Sequence, residues 1–307
     1  MKADPLLISF GGVVISFSGA VPEPGEQVLL FAQPEAVPDV TIRITQTDTL
    51  PKMSEAKLLY SATGLKMFGR ETKRWAVYNN PNCADGGSNH AVLCYDTQMP
   101  DALELCFDSR KMALNIPSVL SSIMLETLLL RHGRGILHAS YARLPNGQSI
   151  LFSAPSGTGK STQAELWRQF RNAQVINGDK AIVYLTSEGV SVSGLPLCGS
   201  SGICRNVSGP LQAVVALSKS RENRICRLGG KDAVKALLSQ LYVQRGEAEA
   251  VAGALALASE VAGRVPVFHL SCLPEISEVE CLEIAMKEVQ NHAGLANAIQ
   301  ISPQQRP

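Results

Sequence analysis

The run Ala154-Pro155-Ser156-Gly157-Thr158-Gly159-Lys160-Ser161 constrains this chain more than any other stretch. Small residues let consecutive backbone N–H groups wrap an anion, and a helix starting at the lysine turns its positive end toward the same place. Such a loop needs a strand before it and a helix after it. The apolar run Ser149–Phe152 precedes it and the amphipathic run Ser161–Arg171 follows, so the chain reads as α/β. Gly157 and Gly159 supply the unusual backbone angles, Lys160 brings an ammonium to the outer phosphates, and the Ser161 hydroxyl suits magnesium. Ser156, Thr158 and Thr162 complete the nucleotide-contacting set. Ala154 stands where the usual pattern has glycine, so only the remaining elements count. Gly-x-Gly-Lys-Ser/Thr arises by chance in a chain of this length about one time in fifty.

A chain of 307 residues has room for two domains, or for one core with a substantial accessory layer. Apolar residues make up 45% and charged ones 18%, an ordinary globular balance. Lysine and arginine number 28 against 27 acids. No global basic field exists to draw nucleic acid or anionic lipid, and phosphate recognition must be local. The cysteines at 83, 94, 106, 198, 204, 226, 272 and 281 form no C-x-x-C pair, which argues against zinc or iron–sulfur ligation. They read as reduced thiols, with Cys198 and Cys204 as packing residues and not a redox pair. Met1-Lys2-Ala3-Asp4-Pro5 does not open a signal peptide, and the apolar stretches are too short to span a bilayer. The expectation is a cytoplasmic protein that binds neither membrane nor nucleic acid.

Residues 1–115 read as a β-rich region: Leu6–Phe17, Val28–Phe31, Val40–Ile44, Trp75–Tyr78 and Ala91–Tyr95 are β-type runs between turn residues. Residues 116–292 read as the nucleotide-binding core. Ile116–His132 suits a helix after Pro117. Gly135–Leu144 and Ser149–Phe152, joined across Asn146-Gly147, predict a hairpin whose second strand feeds the loop. Strands follow at Gln174–Ile176, Ala181–Thr186, Gly189–Ser193, Ala213–Leu217 and Val267–Cys272. Helices are expected over Lys231–Arg245, Glu247–Gly263 and Glu275–His292. Residues 293–307 read as a disordered tail.

A second site element should be an acid at the end of a neighbouring strand. Val175-Ile176-Asn177-Gly178-Asp179-Lys180 offers Asp179, which can hold a metal or accept the proton of an attacking hydroxyl. Asn-Gly-Asp is also good turn material, and it is the adjacent loop that favours the functional reading. His138 on its own would read as a strand histidine satisfied by its neighbours. Arg205 and Lys180 read equally as solvated loop charges or as ligands.

Taken together, Leu137-His138-Ala139-Ser140, the hairpin, Ser153–Ser161 and Asn177-Gly178-Asp179 resemble HPr kinase/phosphorylase and its relatives with the phosphoenolpyruvate-carboxykinase fold. The resemblance covers about residues 130–272. It implies a carboxykinase/HPr-kinase-like nucleotide-binding core, ATP (or GTP) with Mg2+, and transfer to a serine of a small protein or peptide. Gly157, Gly159, Lys160 and Ser161 match its nucleotide loop. Asp179 matches its metal-binding or catalytic acid, His138 the histidine near the phosphates, and Arg205 a loop arginine at the outer phosphates. Catalytic roles thus fall to Asp179, His138 and Lys160, and metal ligation to Ser161 and Asp179. That family usually has two adjacent acids where this chain has Asp179-Lys180, and neither its C-terminal signature nor its N-terminal part is found here. A small-molecule kinase, a carboxykinase-like enzyme and a regulator that binds nucleotide without catalysis stay open, as does homo-oligomerisation.

Overall fold

The computed structural model describes residues 4–79, 88–220, 224–272 and 276–300. Residues 301–307 of the expected tail, Cys83 and the side chain of Cys272 lie outside the described residues.

Alternating apolar and polar residues give the N-terminal region its strands. Val40, Ile42 and Ile44 are buried while Thr41, Arg43 and Thr45 face outward, the two-residue period of a strand with one covered face. The strands are β1 (Leu6–Phe10), β2 (Val13–Gly19), β3 (Val40–Gln46), β4 (Lys57–Ala62), β5 (Leu65–Arg70), β6 (Lys73–Asn79), β7 (Asn89–Asp96) and β8 (Met99–Phe107). They form one sheet in the order β1-β2-β3-β8-β7-β6-β5-β4. The apolar run Leu6–Phe17 splits into the β1–β2 hairpin around Gly11-Gly12. Val28–Phe31, expected as a strand, instead belongs to the single helical turn α1 (Glu26–Leu29) and the residues just after it. Glu26 and Gln27 favour a helix start, and Val28 and Phe31, three apart, are both buried on one side while Leu29 and Leu30 are exposed.

The expected helix over Ile116–His132 is two helices, α2 (Ile116–Ser121) and α3 (Leu125–Arg131). Asn115 and Ser118 cap α2 reciprocally. The break falls at Met124, whose φ is 52° and whose N–H donates to the Tyr78 hydroxyl at 2.9 Å. Ile116, Val119, Leu120, Ile123, Leu128 and Leu129 cover the sheet beside Phe17, Ile42 and Leu105. Ile136, Ile182 and Leu195, from the second half of the chain, join that same core.

That second half contains β9 (Arg134–Arg143), β10 (Ser149–Ser153), α4 (Lys160–Arg171), β11 (Gln174–Asn177), β12 (Lys180–Thr186), β13 (Gly189–Ser193) and β14 (Ser208–Lys219). After these come β15 (Arg224–Leu228), α5 (Gly230–Leu238), α6 (Ala248–Arg264), β16 (Val267–Cys272) and α7 (Ile276–Gln300). β9 and β10 form the expected antiparallel hairpin, Leu151 opposite Tyr141. β14 pairs with both β13 and β10, so β10-β9-β12-β13-β14 close on themselves, with β16 and β15 extending the sheet. Every residue of β10 is buried, as expected of a strand covered on both faces. Phe152 and Ile150 meet Trp167 of α4 and Leu282 of α7. Leu151, pointing the other way, meets the cluster that holds Leu237 of α5 and Leu257 of α6. The loop that follows β10 therefore leaves from a strand buried along its whole length.

The helix expected over Lys231–Arg245 stops at Leu238. The next residues run extended beside β9, with His138 N–H donating to the Gln240 carbonyl and Tyr242 N–H to that of Ile136, each at 2.9 Å. The closing helix runs past residue 292 to Gln300. Among the described residues no helix is long and apolar enough to cross a membrane.

Candidate functional site

The residues of the glycine loop leave β10 at Ala154, which is buried, and enter α4 at Lys160. Gly157 has φ of 74° and Gly159, the residue before the helix, 119°. A Cβ at either would be strained by the backbone, yet would meet no heavy atom within 4 Å. Glycine is thus required here by conformation and not by crowding. The space above the loop is open at the N-terminal end of α4, where the first N–H groups of a helix have no partner within the helix. Ser156, Gly157, Ser161 and Thr162 are exposed, and Thr158 and Gly159 half-buried, so the predicted contact set lines that opening.

Lys160 is almost wholly buried. Its ammonium donates back to the carbonyls of Ala154, at 2.9 Å, and Pro155, at 3.4 Å. Burial lowers its pKa and the nearby Lys180 adds to that, while the charge of Asp179 acts in the opposite sense. The lysine thus stands folded against its own loop.

Asn177 ends β11, is fully buried and sets the acid in place. Its Oδ1 accepts from the N–H groups of Asp179, at 2.9 Å, and Lys180, at 3.0 Å. Its amide nitrogen donates to the carbonyls of Leu197, at 3.0 Å, and Leu195, at 3.4 Å. The Asp179 carbonyl accepts from Ala139 N–H at 3.0 Å, which ties the turn to the hairpin strand β9. Ser161 Oγ lies 3.5 Å from the Gly178 carbonyl, next to Asp179. The two residues expected to hold a metal therefore border the same opening.

Both Asp179 oxygens are engaged. Oδ2 accepts from the Lys180 ammonium at 2.5 Å and Oδ1 lies 3.3 Å from His138 Nε2. Burial raises the Asp179 pKa, but the hydrogen bond and charge of Lys180, helped by His138 and Lys160, outweigh it and hold the carboxyl below its ordinary range. His138 Nδ1 stands 3.3 Å from Gln240 Oε1, and its ring packs edge-on to Tyr242 at 6.1 Å. Burial first, then the charge of Lys160, pushes the His138 pKa down against Asp179 and Gln240. The shift favours the neutral ring. A neutral imidazole gives its one N–H to the carboxylate only if the Gln240 amide turns to donate to the other nitrogen.

The segment 198–206 flanks the acid. Gly199 sits so close to it that a Cβ there would stand 2.5 Å from that of Asp179, and Cys204 bridges Asn177. Arg205 follows, exposed, with its carbonyl against Gly194. The expectation that Cys198 and Cys204 are separate packing thiols is corrected: they are joined as a disulfide that closes this loop. Their spacing follows no familiar pairing motif, so the sequence carries no sign of the bond. The N-terminal region reaches the same loop. Gln27 donates to the Gly202 carbonyl at 2.8 Å, and Asn206 donates to that of Leu30 at 3.2 Å.

The structure thus gathers Lys160, Ser161, His138 and Asp179 around one opening and leaves Arg205 on its flank. Asn177, Gln240 and Tyr242 are additions to the expected set. Asn177 was visible only as turn material, whereas Gln240 and Tyr242 were hidden in an apparent helix. The Ser161 hydroxyl and the Asp179 carboxylate are oxygen donors of the kind a magnesium ion takes, so these two residues could hold one.

No family model matches the chain, and no curated protein does. Among solved structures, the Hpr(Ser) kinase/phosphatase from Coxiella burnetii is similar at 10% identity and a TM-score of 0.30, with 52% of this chain and 97% of that one covered.

Proposed function

We propose that this chain is a magnesium-dependent nucleotide phosphotransferase with a core of the carboxykinase/HPr-kinase kind. It moves the γ-phosphate of ATP (or GTP) to a hydroxyl. The observation that carries the reading is the open glycine loop at the start of α4, with the ionised Asp179 beside Ser161 at its rim. The acceptor class, a serine of a small protein or peptide, follows the motif resemblance.

In this reading the loop N–H groups and the α4 terminus take the phosphates. Lys160 exchanges the carbonyls of Ala154 and Pro155 for phosphate oxygens. Ser161 and Asp179 would hold the magnesium, which neutralises phosphate charge. Asp179 also accepts a hydrogen bond from the acceptor hydroxyl and so aims it in line. A carboxylate with a lowered pKa is a weak base, but a loose phosphoryl transition state asks little basicity of it, because the hydroxyl proton leaves late. His138 holds Oδ1 of Asp179 and so fixes the direction of the carboxylate. Arg205, exposed on the flanking loop, adds positive charge at the outer phosphates.

Calorimetric titration of magnesium and ATP into the wild type and Lys160→Ala tests the reading. Binding by the wild type that is lost in the variant is the expected outcome. A folded wild type that binds no nucleotide would leave the loop a structural turn.

A further inference from the structure

Carboxylates are scarce at this opening. Among the described residues no three aspartate, glutamate, histidine or cysteine side chains converge as a metal site, and the one carboxylate whose charge is felt at both Lys160 and His138 is Asp179. Two divalent ions sharing a phosphoryl group stand about 4 Å apart, and each takes one or two protein oxygens, mostly carboxylate, beside the phosphates. Here the single carboxylate already has a cation on one oxygen and an imidazole near the other.

That cation is a built part of the site. The Lys180 backbone N–H is fixed by Asn177 Oδ1 at 3.0 Å. Its ammonium lies against Asp179 Oδ2 and 5.5 Å from the Tyr242 ring centre, a face that attracts positive charge. Only 22% of the side chain is exposed, so the charge is held in place and not dispersed in solvent. A second divalent ion next to it would meet like-charge repulsion and find no second carboxylate, whereas an ammonium can serve phosphate oxygens directly with its three donors.

We propose that Lys180 is the second cation of this site: the chain works with a single divalent ion, and the Lys180 ammonium supplies the remaining positive charge to the phosphate being transferred. The inference rests on the phosphotransferase reading. It adds to that reading a metal count and a residue that sets it.

Manganese offers a spectroscopic count. Free Mn2+ is measured by electron paramagnetic resonance in the presence of saturating non-hydrolysable ATP analogue, and analogue binding is measured in parallel by calorimetry. Wild type should retain one Mn2+ per bound analogue, and Lys180→Asp, which supplies a second carboxylate and removes the ammonium, should retain two. Lys180→Met should keep one ion and bind the analogue about tenfold more weakly, the scale of one lost charge-assisted contact. Two ions on the wild type, one on Lys180→Asp, or unchanged analogue affinity in Lys180→Met would each overturn the inference while leaving the phosphotransferase reading in place. A folded wild type that binds no analogue would overturn both.

Discussion

Asn177→Ala is the substitution whose effect the structure specifies most fully. The side chain is fully buried and makes four hydrogen bonds, two accepted from Asp179 and Lys180 N–H and two donated to Leu195 and Leu197 carbonyls. One of the donated bonds is long, so about three count. At roughly 1 kcal/mol net for each, the loss is about 3 kcal/mol. At about 2 °C per kcal/mol for a chain of this size, the unfolding midpoint should fall by about 6 °C. The same change releases the turn that presents Asp179, so magnesium-dependent ATP turnover should fall far more than stability does, by about a hundredfold, the effect of a small misplacement of a reacting group. Asn177→Asp is the comparison. It keeps an acceptor for both N–H groups but loses the donor and sets a buried carboxylate against the Leu195 and Leu197 carbonyls, so it should be less stable than wild type yet retain more turnover than Asn177→Ala. Differential scanning calorimetry and a phosphate-release assay read the two quantities separately. A midpoint within about 1 °C of wild type, or turnover equal in the two variants, would refute the claim that Asn177 places the acid.

Three further substitutions have outcomes set by the same geometry. Gly159→Ala, at φ of 119°, should cost at least about 1–2 kcal/mol in denaturant unfolding and weaken nucleotide binding. An unchanged unfolding midpoint would show that the loop conformation is not demanding. Asp179→Asn should bind nucleotide yet lose turnover. Because the folded carboxyl lies below its ordinary 3.8, the unfolded chain takes up the proton first as pH falls through that window, and wild-type stability is lost there. The Asp179→Asn variant should show a flatter acid limb in unfolding midpoint against pH, and identical limbs would contradict the lowered pKa. Trp167→Ala removes a ring buried between β10 and α7 and should destabilise by about 3–5 kcal/mol, measured by urea unfolding, with no selective effect on the nucleotide site in the folded fraction.

Much of the fold was legible because local chemistry and long-range packing agree. The β9–β10 hairpin follows from two apolar runs joined by Asn146-Gly147, and α4 from an amphipathic period behind a glycine turn. The misread elements are those where packing decides. Val28 and Phe31 look like strand residues, yet their three-residue spacing lets one helical turn bury both. Ile116–His132 has enough leucine for one helix, but the Tyr78 hydroxyl takes up Met124 N–H at a kink, and Tyr78 is 46 residues away. Lys231–Arg245 keeps helical spacing beyond Leu238, but a bare edge of β9 competes for Gln240 and Tyr242 and gives their backbone groups partners that helix would otherwise provide.

The site divides along the same line. In the proposed reading, Gly157, Gly159, Lys160, Ser161 and Asp179 answer the demands of a phosphate and its metal, and such demands are written into short spacings. What surrounds Asp179 is not. His138 reaches it because β9 pairs with β12, which sets His138 opposite Lys180. Gln240 and Tyr242 arrive from the far side of α5, and Gly199 from a loop that the N-terminal α1 props through Gln27. These residues lie off the glycine loop and pack around one carboxylate. An N-terminal region that looks accessory in sequence thereby acquires a place in the site: it braces the segment that packs on Asp179. Loosening that brace with Gln27→Ala should lower magnesium-dependent turnover while leaving calorimetric nucleotide affinity at the glycine loop unchanged, and equal turnover in variant and wild type would show that the brace is idle.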